Sequence, residues 1–182
     1  MVGSFQQFLR DKTTGGCLEK IKNKMSAERW QKVKEGLRNE YLAATFLESM
    51  GYDVTMVGIE MEYGDIDIIL NNKYTISIKS MPKALQYGSV VLELGNDYKK
   101  GWFYTSQADI WLFVVGDRLF WDFRENIRNE AFNVGEIKYL SKYIRKLNQQ
   151  TGFRGVRNLK EWRLLTYPLY KLRKGIELAT TL

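Results

Sequence analysis

The chain has 182 residues, 45% of them hydrophobic and 14% aromatic, which predicts one compact domain with a sizeable core. It contains no histidine, and this excludes Ser-His-Asp and Cys-His triads, histidine-dependent nucleases and imidazole zinc sites. The formal net charge of +7 favours a polyanionic partner such as nucleic acid.

The single cysteine and the N-terminal residues bear on the compartment. Because Cys17 is alone, no disulfide framework can form, and a reducing cytoplasm is the natural location. The first residues lack the charged-then-apolar pattern of a signal peptide, and no apolar run is long enough to span a membrane. We therefore expect a cytoplasmic protein that does not enter the membrane.

A long amphipathic helix is predicted to follow Ser26, because apolar residues recur there at three- and four-residue steps and Gly51 stands just past the end. Glu40 lies three residues after Leu37 and four before Ala44, on or beside the apolar stripe. Two interpretations are open. Glu40 either sits at the boundary and pairs with a lysine, or it faces a sheet and joins an acidic cluster there.

Residues 61–80 contain two β-rich runs joined by Asn71-Asn72, which predicts a hairpin. Side chains alternate between the two faces of a strand. Asp65, Asp67 and Ile69 are therefore expected on one face, and Ile66, Ile68 and Leu70 on the other. In the second run, one face carries Thr75, Ser77 and Lys79 and the core face carries Tyr74, Ile76 and Ile78.

Two carboxylates, a hydroxyl and an ammonium would converge on one side of this hairpin. Hard cations such as Mg²⁺ take carboxylate oxygens and keep waters, and a nearby lysine can assist an attacking water and neutralise charge on a phosphate. The alternative is an edge hairpin with a solvated face. In that case Asp67 and Lys79 form a surface ion pair worth less than about 1 kcal/mol.

Further along the chain, Ala108 to Val115 is a continuous apolar run that predicts a buried central strand, and Gly116-Asp117 predicts a second hairpin ending near Asp122. After Arg124 the chain is predicted to be helical. One stripe of that prediction contains Ile137, Leu140, Ile144 and Leu147, and lysines and arginines surround it. The expected divisions are an extension at 1–25, a core at 26–123 and a basic helical part at 124–182.

Two basic segments are candidates for contact with nucleic acid. Lys99 and Lys100 could lie on phosphates and Trp102 against a base or sugar, and Arg154 and Arg157 occupy a glycine-bearing loop suited to phosphate contacts. The alternative for the first segment is that Trp102 packs in the core and the lysines are solvated.

An ordered set of four motifs resembles the PD-(D/E)xK, or restriction-endonuclease-like, nuclease superfamily. The motifs are Asn-Glu-Tyr-Leu-Ala-Ala at 39–44, Phe-Leu-Glu-Ser-Met-Gly-Tyr-Asp-Val at 46–54, Gly-Asp-Ile-Asp-Ile-Ile at 64–69 and Ile-Ser-Ile-Lys-Ser at 76–80. The chain looks most like the branch containing archaeal Holliday-junction resolvases and small phage nucleases, which act in DNA recombination. The resemblance covers roughly Glu40 to Lys79.

The resemblance implies that Glu40 is the helix-borne acid, Asp67 the central metal ligand and Lys79 the lysine at the attacking water. Asp65 is a second candidate for the aspartate role. Ser77 stands where the family usually has Asp or Glu, and a neutral hydroxyl binds a metal less well. Some restriction endonucleases carry Ser-x-Lys and supply the acid from downstream, which makes Glu93 a candidate. The alternative for Glu93 is an exposed residue on an edge strand.

The expected fold is α/β, with a mixed central sheet of about five or six strands flanked by helices, similar to the restriction-endonuclease core. The expected activity is DNA cleavage by an endonuclease dependent on Mg²⁺, for which Mn²⁺ would substitute. A branched-DNA resolvase would act as a homodimer, since two strands must be cut symmetrically. The alternatives are a site-specific restriction or homing endonuclease and a catalytically inactive DNA-binding protein of the same fold.

Overall fold

The computed structural model describes residues 4–11, 26–57, 64–139 and 162–175. Its helices are α1 (Phe5–Asp11), α2 (Ala27–Ser49), α5 (Arg124–Val134) and two single turns, α3 (Ala84–Tyr87) and α4 (Trp102–Thr105). The strands are β1 (Val54–Met56), β2 (Ile68–Leu70), β3 (Tyr74–Ser80), β4 (Ser89–Gly95), β5 (Ile110–Val115), β6 (Arg118–Phe123), β7 (Ile137–Tyr139), β8 (Arg163–Pro168) and β9 (Arg173–Lys174). A 3-10 turn, Leu169–Lys171, joins the last two strands.

The strands form two sheets. Six of them make a mixed sheet in the order β1-β2-β3-β5-β6-β9, in which β3 and β5 are parallel and the other neighbours antiparallel. The other three make an antiparallel sheet in the order β4-β8-β7. The predicted α/β class, with a mixed sheet of five or six strands flanked by helices, is confirmed.

Helix α2 has the bounds that its sequence predicts. The amide of Trp30 donates to the carbonyl of Ser26 at 2.9 Å at the start of the helix. At the end, Gly51 has a φ of 90° and its amide donates to the carbonyl of Glu48 at 2.9 Å. Glycine is favoured at a left-handed position just past a helix, because it has no Cβ that would clash there. The apolar stripe of α2 therefore lies along a defined length facing the larger sheet.

The larger sheet has a core on each of its faces. The α2 core includes helix residues Ala43 and Leu47 and strand residues Ile68, Leu70, Ile76, Ile78, Ile110, Leu112, Val114 and Trp121. The inter-sheet core includes Trp111, Phe113, Val115 and Phe120 of the larger sheet, Val90, Leu92, Leu94, Leu165 and Tyr167 of the smaller one, and Ile127 and Ala131 of α5. Strand β5 supplies both cores, and this explains its continuous apolar sequence.

The first hairpin forms, but its first strand starts later than predicted. Asn71 and Asn72 have φ values of 51° and 53°, as a turn of two left-handed residues requires. Strand β2 begins only at Ile68, and Asp65 is itself left-handed with a φ of 64°. Strand alternation therefore does not apply before Ile68. As a result, Ile66 packs against the inter-sheet core while Ile68 lies in the α2 core, which corrects the prediction that the two share a face.

The predicted helical C-terminal part is wrong in the described residues beyond Val134. Helix α5 ends there, and Ile137 belongs to strand β7, so it does not start a helical stripe. The reason is its pairing partner: Ile137 lies opposite Leu165 of β8, and this sheet contact overrides the local periodicity. Leu140, Ile144 and Leu147 lie outside the described residues. No helix in the described ranges combines the length and apolar character needed to cross a membrane.

Candidate functional site

Asp65 is held by side chains of strand β3. The hydroxyl of Ser77 donates to Asp65 Oδ2 at 3.0 Å, and Lys79 Nζ donates to Asp65 Oδ1. The side chains of this ion pair are only 27% exposed for Asp65 and 16% for Lys79. The interpretation of a solvated face with a weak Asp67–Lys79 surface pair therefore does not describe this site, because Lys79 pairs with Asp65 in a partly dehydrated setting.

Asp67 is fixed at the entrance to strand β2. Its side chain is nearly buried, with the residue 8% exposed, and its Oδ2 accepts the amide of Ile78 at 2.6 Å. Its own amide donates to the carbonyl of Ile76 at 2.9 Å. A hydrogen bond from a backbone amide stabilises the charged carboxylate. The sequence therefore positions a second carboxyl group beside strand β3.

Ser77 and Lys79 lie on the inter-sheet face of β3. In the parallel pairing with β5 they stand opposite Trp111 and Phe113, which belong to the inter-sheet core. Lys79 Nζ lies 5.1 Å from the ring centroid of Trp102, within the range of a cation–π contact. The Trp102 ring packs edge-on against Trp111 at 4.9 Å between centroids. The lysine is thus bracketed by a carboxylate and an aromatic face.

Asp65, Asp67 and Trp102 border an open cleft of about 310 Å³, which Gly64 and Thr105 also line. Gly64 is required at its position, because its φ is 97° and a Cβ would lie 2.8 Å from the side-chain oxygen of Gln107. The amide of Gln107 donates to the carbonyl of Gly64 at 2.7 Å and so ties the segment before Asp65 to the segment before β5. The cleft has room for a hydrated ion.

The wall that carries Trp102 and Thr105 is anchored from α5. Arg128 Nε donates to the carbonyl of Phe103 at 2.8 Å and its Nη2 to that of Ser106 at 3.1 Å. Burial, followed by the charge of Arg124, lowers the pKa of Arg128 from its ordinary value. Sequence reasoning missed this arginine, since nothing local marks it as a partner of a turn 22 residues earlier.

Glu40 and Glu93 lie on elements other than the hairpin. Glu40 is half-buried on α2, and its Oε2 atom is inaccessible to solvent. Glu93 is on β4 in the smaller sheet, where its Oε1 accepts the indole N–H of Trp162 at 3.1 Å. Strand β4 is an edge strand of that sheet, as the alternative interpretation has it, but Glu93 is half-buried there and not exposed.

The fit of the site to a divalent cation rests on Asp65 and Asp67. Both line the cleft, and each brings a carboxylate, whose oxygens are acceptors. Mg²⁺ is commonly held by one or two carboxylates and several waters, so this pair fits it. Within the described ranges, no group of three or more Asp, Glu, Cys or His side chains is gathered as a metal site.

The predicted contacts to nucleic acid divide into two groups. Lys99 and Lys100 are exposed, whereas Trp102 is half-buried against the inter-sheet core and lines the cleft at the same time. Both interpretations of Trp102 therefore describe part of its surroundings. Arg154 and Arg157 lie outside the described residues.

No protein-family model, no curated protein and no solved structure matches the chain.

Proposed function

We propose that the chain is a metal-dependent endodeoxyribonuclease that hydrolyses phosphodiester bonds in DNA. The observation that carries the proposal is the pair of carboxylates Asp65 and Asp67 at one cleft, with Lys79 and Ser77 both donating to Asp65. Carboxylates, a hydroxyl and an ammonium are the groups on which a chain without histidine can base hydrolytic chemistry. The resemblance to the PD-(D/E)xK superfamily supports the same activity.

Asp65 and Asp67 would hold Mg²⁺, or Mn²⁺ in its place, with Glu40 and Glu93 as the further acids that the resemblance implies. The cation would act as a Lewis acid on the phosphoryl oxygen and lower the pKa of water. Lys79 would neutralise charge that develops on the scissile phosphate, where a preorganised ammonium is worth more than in bulk water. Ser77 would keep Asp65 oriented, and Trp102 would limit the rotamers of Lys79.

The substrate we propose is branched DNA of the Holliday-junction type, cut by a homodimer in the cytoplasm. The net charge of +7 and the exposed Lys99 and Lys100 support a polyanionic ligand. A site-specific restriction or homing endonuclease is the second candidate, favoured by the Ser-x-Lys sequence at Ser77.

A DNA-binding protein without catalysis is a further candidate from a different class. The specific observation in its favour is the pairing of both Asp65 oxygens, one with Lys79 and one with Ser77. A lysine neutralised by its own site is less available to a phosphate, and Ser77 contributes no charge. This candidate predicts salt-sensitive DNA binding without a metal requirement.

The test is cleavage of a labelled four-way junction and its matched linear duplex with Mg²⁺ or Mn²⁺. We expect Lys79→Ala to lower the cleavage rate about 100-fold or more, as loss of a charge-stabilising group at a reacting centre does. Lys73→Ala, which changes an exposed lysine in the first hairpin turn, is the matched control and should cut at the unaltered rate.

Junction-selective cutting supports the resolvase, whereas sequence-selective cutting of the duplex supports the restriction or homing enzyme. If the unaltered protein and Lys79→Ala both bind DNA and neither cuts either substrate, the nuclease is rejected in favour of the DNA-binding protein without catalysis. Circular dichroism melting of Lys79→Ala is needed alongside, because the substitution leaves Asp65 without its partner.

A further inference from the structure

The segment between β4 and α4 is a tightly closed loop, which we call the Tyr98 loop (Asn96–Lys100). The amide of Asn96 donates to the carbonyl of Lys99 at 2.9 Å, and the Asn96 side-chain oxygen accepts the amides of Tyr98 at 3.0 Å and Lys99 at 2.8 Å. Gly95 and Lys100 form a β-bridge at its base. The backbone of the loop is therefore fixed by its own hydrogen bonds.

The closure of the loop requires glycine on either side. A Cβ on Gly95, whose φ is 91°, would lie 2.1 Å from the carbonyl oxygen of Lys99. A Cβ on Gly101 would lie 2.0 Å from the carbonyl oxygen of Glu93. Backbone segments that approach this closely form one rigid tip. Binding a ligand there therefore orders little additional backbone, and the protein loses little conformational entropy.

The loop presents one aromatic ring and two positive charges to solvent. Tyr98 is 81% exposed, and Lys99 and Lys100 are exposed beside it. Asp97, the acidic residue of the loop, pairs with Arg163 of β8 at 3.0 Å. The charge of Asp97 is thereby matched, and the two lysines set the local potential.

Tyr170 provides a comparison within the same chain. It is also 81% exposed, but the lysine next to it, Lys171, pairs with Glu130. Tyr170 therefore lacks the combination of an open ring with adjacent lysines that pair with no acid among the residues that the structure describes. Single exposed aromatic residues are ordinary on protein surfaces, so it is this combination on a rigid tip that points to a ligand.

The Tyr98 loop leads directly into the cleft. Tyr98 and Trp102 are four positions apart in the chain, so their Cα atoms are at most about 14 Å apart. A strand of DNA advances about 3.4 Å per nucleotide in B-form, so Tyr98 lies within about four nucleotides of Trp102, which lines the cleft with Asp65 and Asp67. A nucleotide at the loop and a phosphate at the cleft can belong to one strand.

We propose that the Tyr98 ring stacks on an unpaired base of DNA and that Lys99 and Lys100 contact the flanking phosphates. Stacking requires a base whose π-face is open, whereas bases inside a duplex are covered on both sides. The site therefore selects single-stranded segments, such as those at a junction, gap or frayed end. The identity of the ligand as DNA rests on the proposed function, but the site itself needs neither metal nor catalysis.

The experiment is fluorescence anisotropy with a labelled oligothymidylate and a duplex of equal length, in EDTA. We expect Tyr98→Ala to bind the oligothymidylate about 10-fold more weakly, as loss of one aromatic–base stack does. Tyr98→Phe should bind within about 2-fold of the unaltered protein, since it keeps the ring. Duplex binding should be the same for all three, and Tyr170→Ala is the matched control, expected to change neither affinity.

A salt titration separates stacking from phosphate contact. Tyr98→Ala should weaken binding at every salt concentration with an unchanged slope of log K against log salt. Lys99→Gln with Lys100→Gln should flatten that slope by about 0.7 per lysine. Unaltered melting temperatures are expected for Tyr98→Ala, because the side chain is exposed, and they exclude a folding defect.

Either equal affinity of Tyr98→Ala and the unaltered protein for oligothymidylate, or no oligothymidylate binding by the unaltered protein, would overturn the inference. An equal loss for duplex and single strand would overturn it too. The proposed function fails separately: binding of the expected kind without any cleavage would reject the nuclease, whereas cleavage with binding insensitive to Tyr98 would reject only the stacking site.

Discussion

Glu130 links three elements through its two oxygens. Its Oε2 accepts the hydroxyl of Tyr167 at 2.8 Å, and its Oε1 accepts Lys171 Nζ at 2.5 Å. The hydrogen bond from Lys171 and then that from Tyr167 hold the pKa of Glu130 below its ordinary 4.5. In return, the hydrogen bond to Glu130 raises the pKa of Lys171, and burial followed by the same carboxylate raises that of Tyr167. The cluster therefore favours the ionised acid.

The stability of the protein should depend on this cluster at acid pH. Because the folded-state pKa of Glu130 is below the unfolded value, its contribution is present above about pH 4.5 and is lost as the pH falls through the folded pKa. We expect the melting temperature to fall less between about pH 5 and pH 3 in Glu130→Gln than in the unaltered protein.

Glu136→Gln is the matched control, since Glu136 is an exposed acid whose pair with Lys138 is long at 3.5 Å. It should follow the unaltered pH profile. A Glu130→Gln profile parallel to that of the unaltered protein would show that Lys171 and Tyr167 do not stabilise the carboxylate. The raised pKa values of Lys171 and Tyr167 have the opposite sense, because the stability they contribute is lost only as the pH rises above their ordinary values near 10.

Also at the level of single residues, the position of Asp65 shows where the alternation of side chains along a strand stops predicting the structure. Alternation predicts that Asp65, Ser77 and Lys79 share a face, and the three do meet. The meeting does not come from alternation, however, because Asp65 precedes the strand and has a φ of 64°. The pairing of Lys79 with Asp65 depends on this left-handed backbone conformation. Asp adopts a positive φ more readily than most residues do, but the hydrophobic periodicity of the sequence does not predict where it will occur.

Among the elements, the single turn α4 is held by a side chain from another helix. Arg128 holds two of its carbonyls, those of Phe103 and Ser106. We expect Arg128→Ala to lower the free energy of unfolding by about 2 kcal/mol, since charge-assisted hydrogen bonds to partly buried carbonyls are lost. Arg128→Lys should recover only part of this, because an ammonium cannot donate in the planar fork of a guanidinium. Urea denaturation measures both.

Arg118→Ala is the control for α4, since Arg118 is exposed and its pair with Asp117 is 3.9 Å long. Its effect should stay within about 0.5 kcal/mol. If Arg128→Ala were as mild, the inter-sheet core and Arg124, whose Nη1 donates to the carbonyl of Ser106 at 3.2 Å, would be enough to hold the turn bearing Trp102 and Thr105.

Elements with local signals were predictable, and those made by distant pairing were not. Helix α2 has its stripe and its glycine within one segment, and the hairpins of β2 with β3 and β5 with β6 have their turn residues between them. Strand β7 has only three residues and is a strand because it pairs with β8. Its apolar and basic residues fit a helical period equally well, so the sequence alone favoured the wrong element.

For the whole molecule, the cores on the two sides of the larger sheet should contribute stability separately from the cleft. Leu47 on α2 is fully buried in the α2 core, whereas Leu42 on the same helix is 49% exposed. We expect Leu47→Ala to lower the free energy of unfolding by about 2–5 kcal/mol, through lost burial and the cavity that remains. Leu42→Ala should cost less than about 1 kcal/mol.

Urea denaturation of both leucine variants measures the difference, and similar losses would mean that α2 does not present the Leu47 face to the sheet.

The general α/β class followed from composition and periodicity, but the division into two sheets did not. Sheet membership of β4 depends on which distant strand it meets, and the chain between Ser80 and Ile110 gives no local sign that it leaves the larger sheet.

The pairing of β4 with β8 has a consequence for synthesis of the chain. Glu93 lies opposite Leu164, about 70 residues later, and at roughly 5–20 residues per second a ribosome needs about 4–14 s to make that interval. The strands β1, β2, β3, β5 and β6 of the larger sheet are already synthesised by Phe123. Through those seconds β4 has no sheet partner, and its apolar Val90, Leu92 and Leu94 lack the cover that β8 later provides. A nascent chain stalled before Arg163 would therefore carry an open apolar edge, the kind of surface that chaperones bind and that aggregates when they do not.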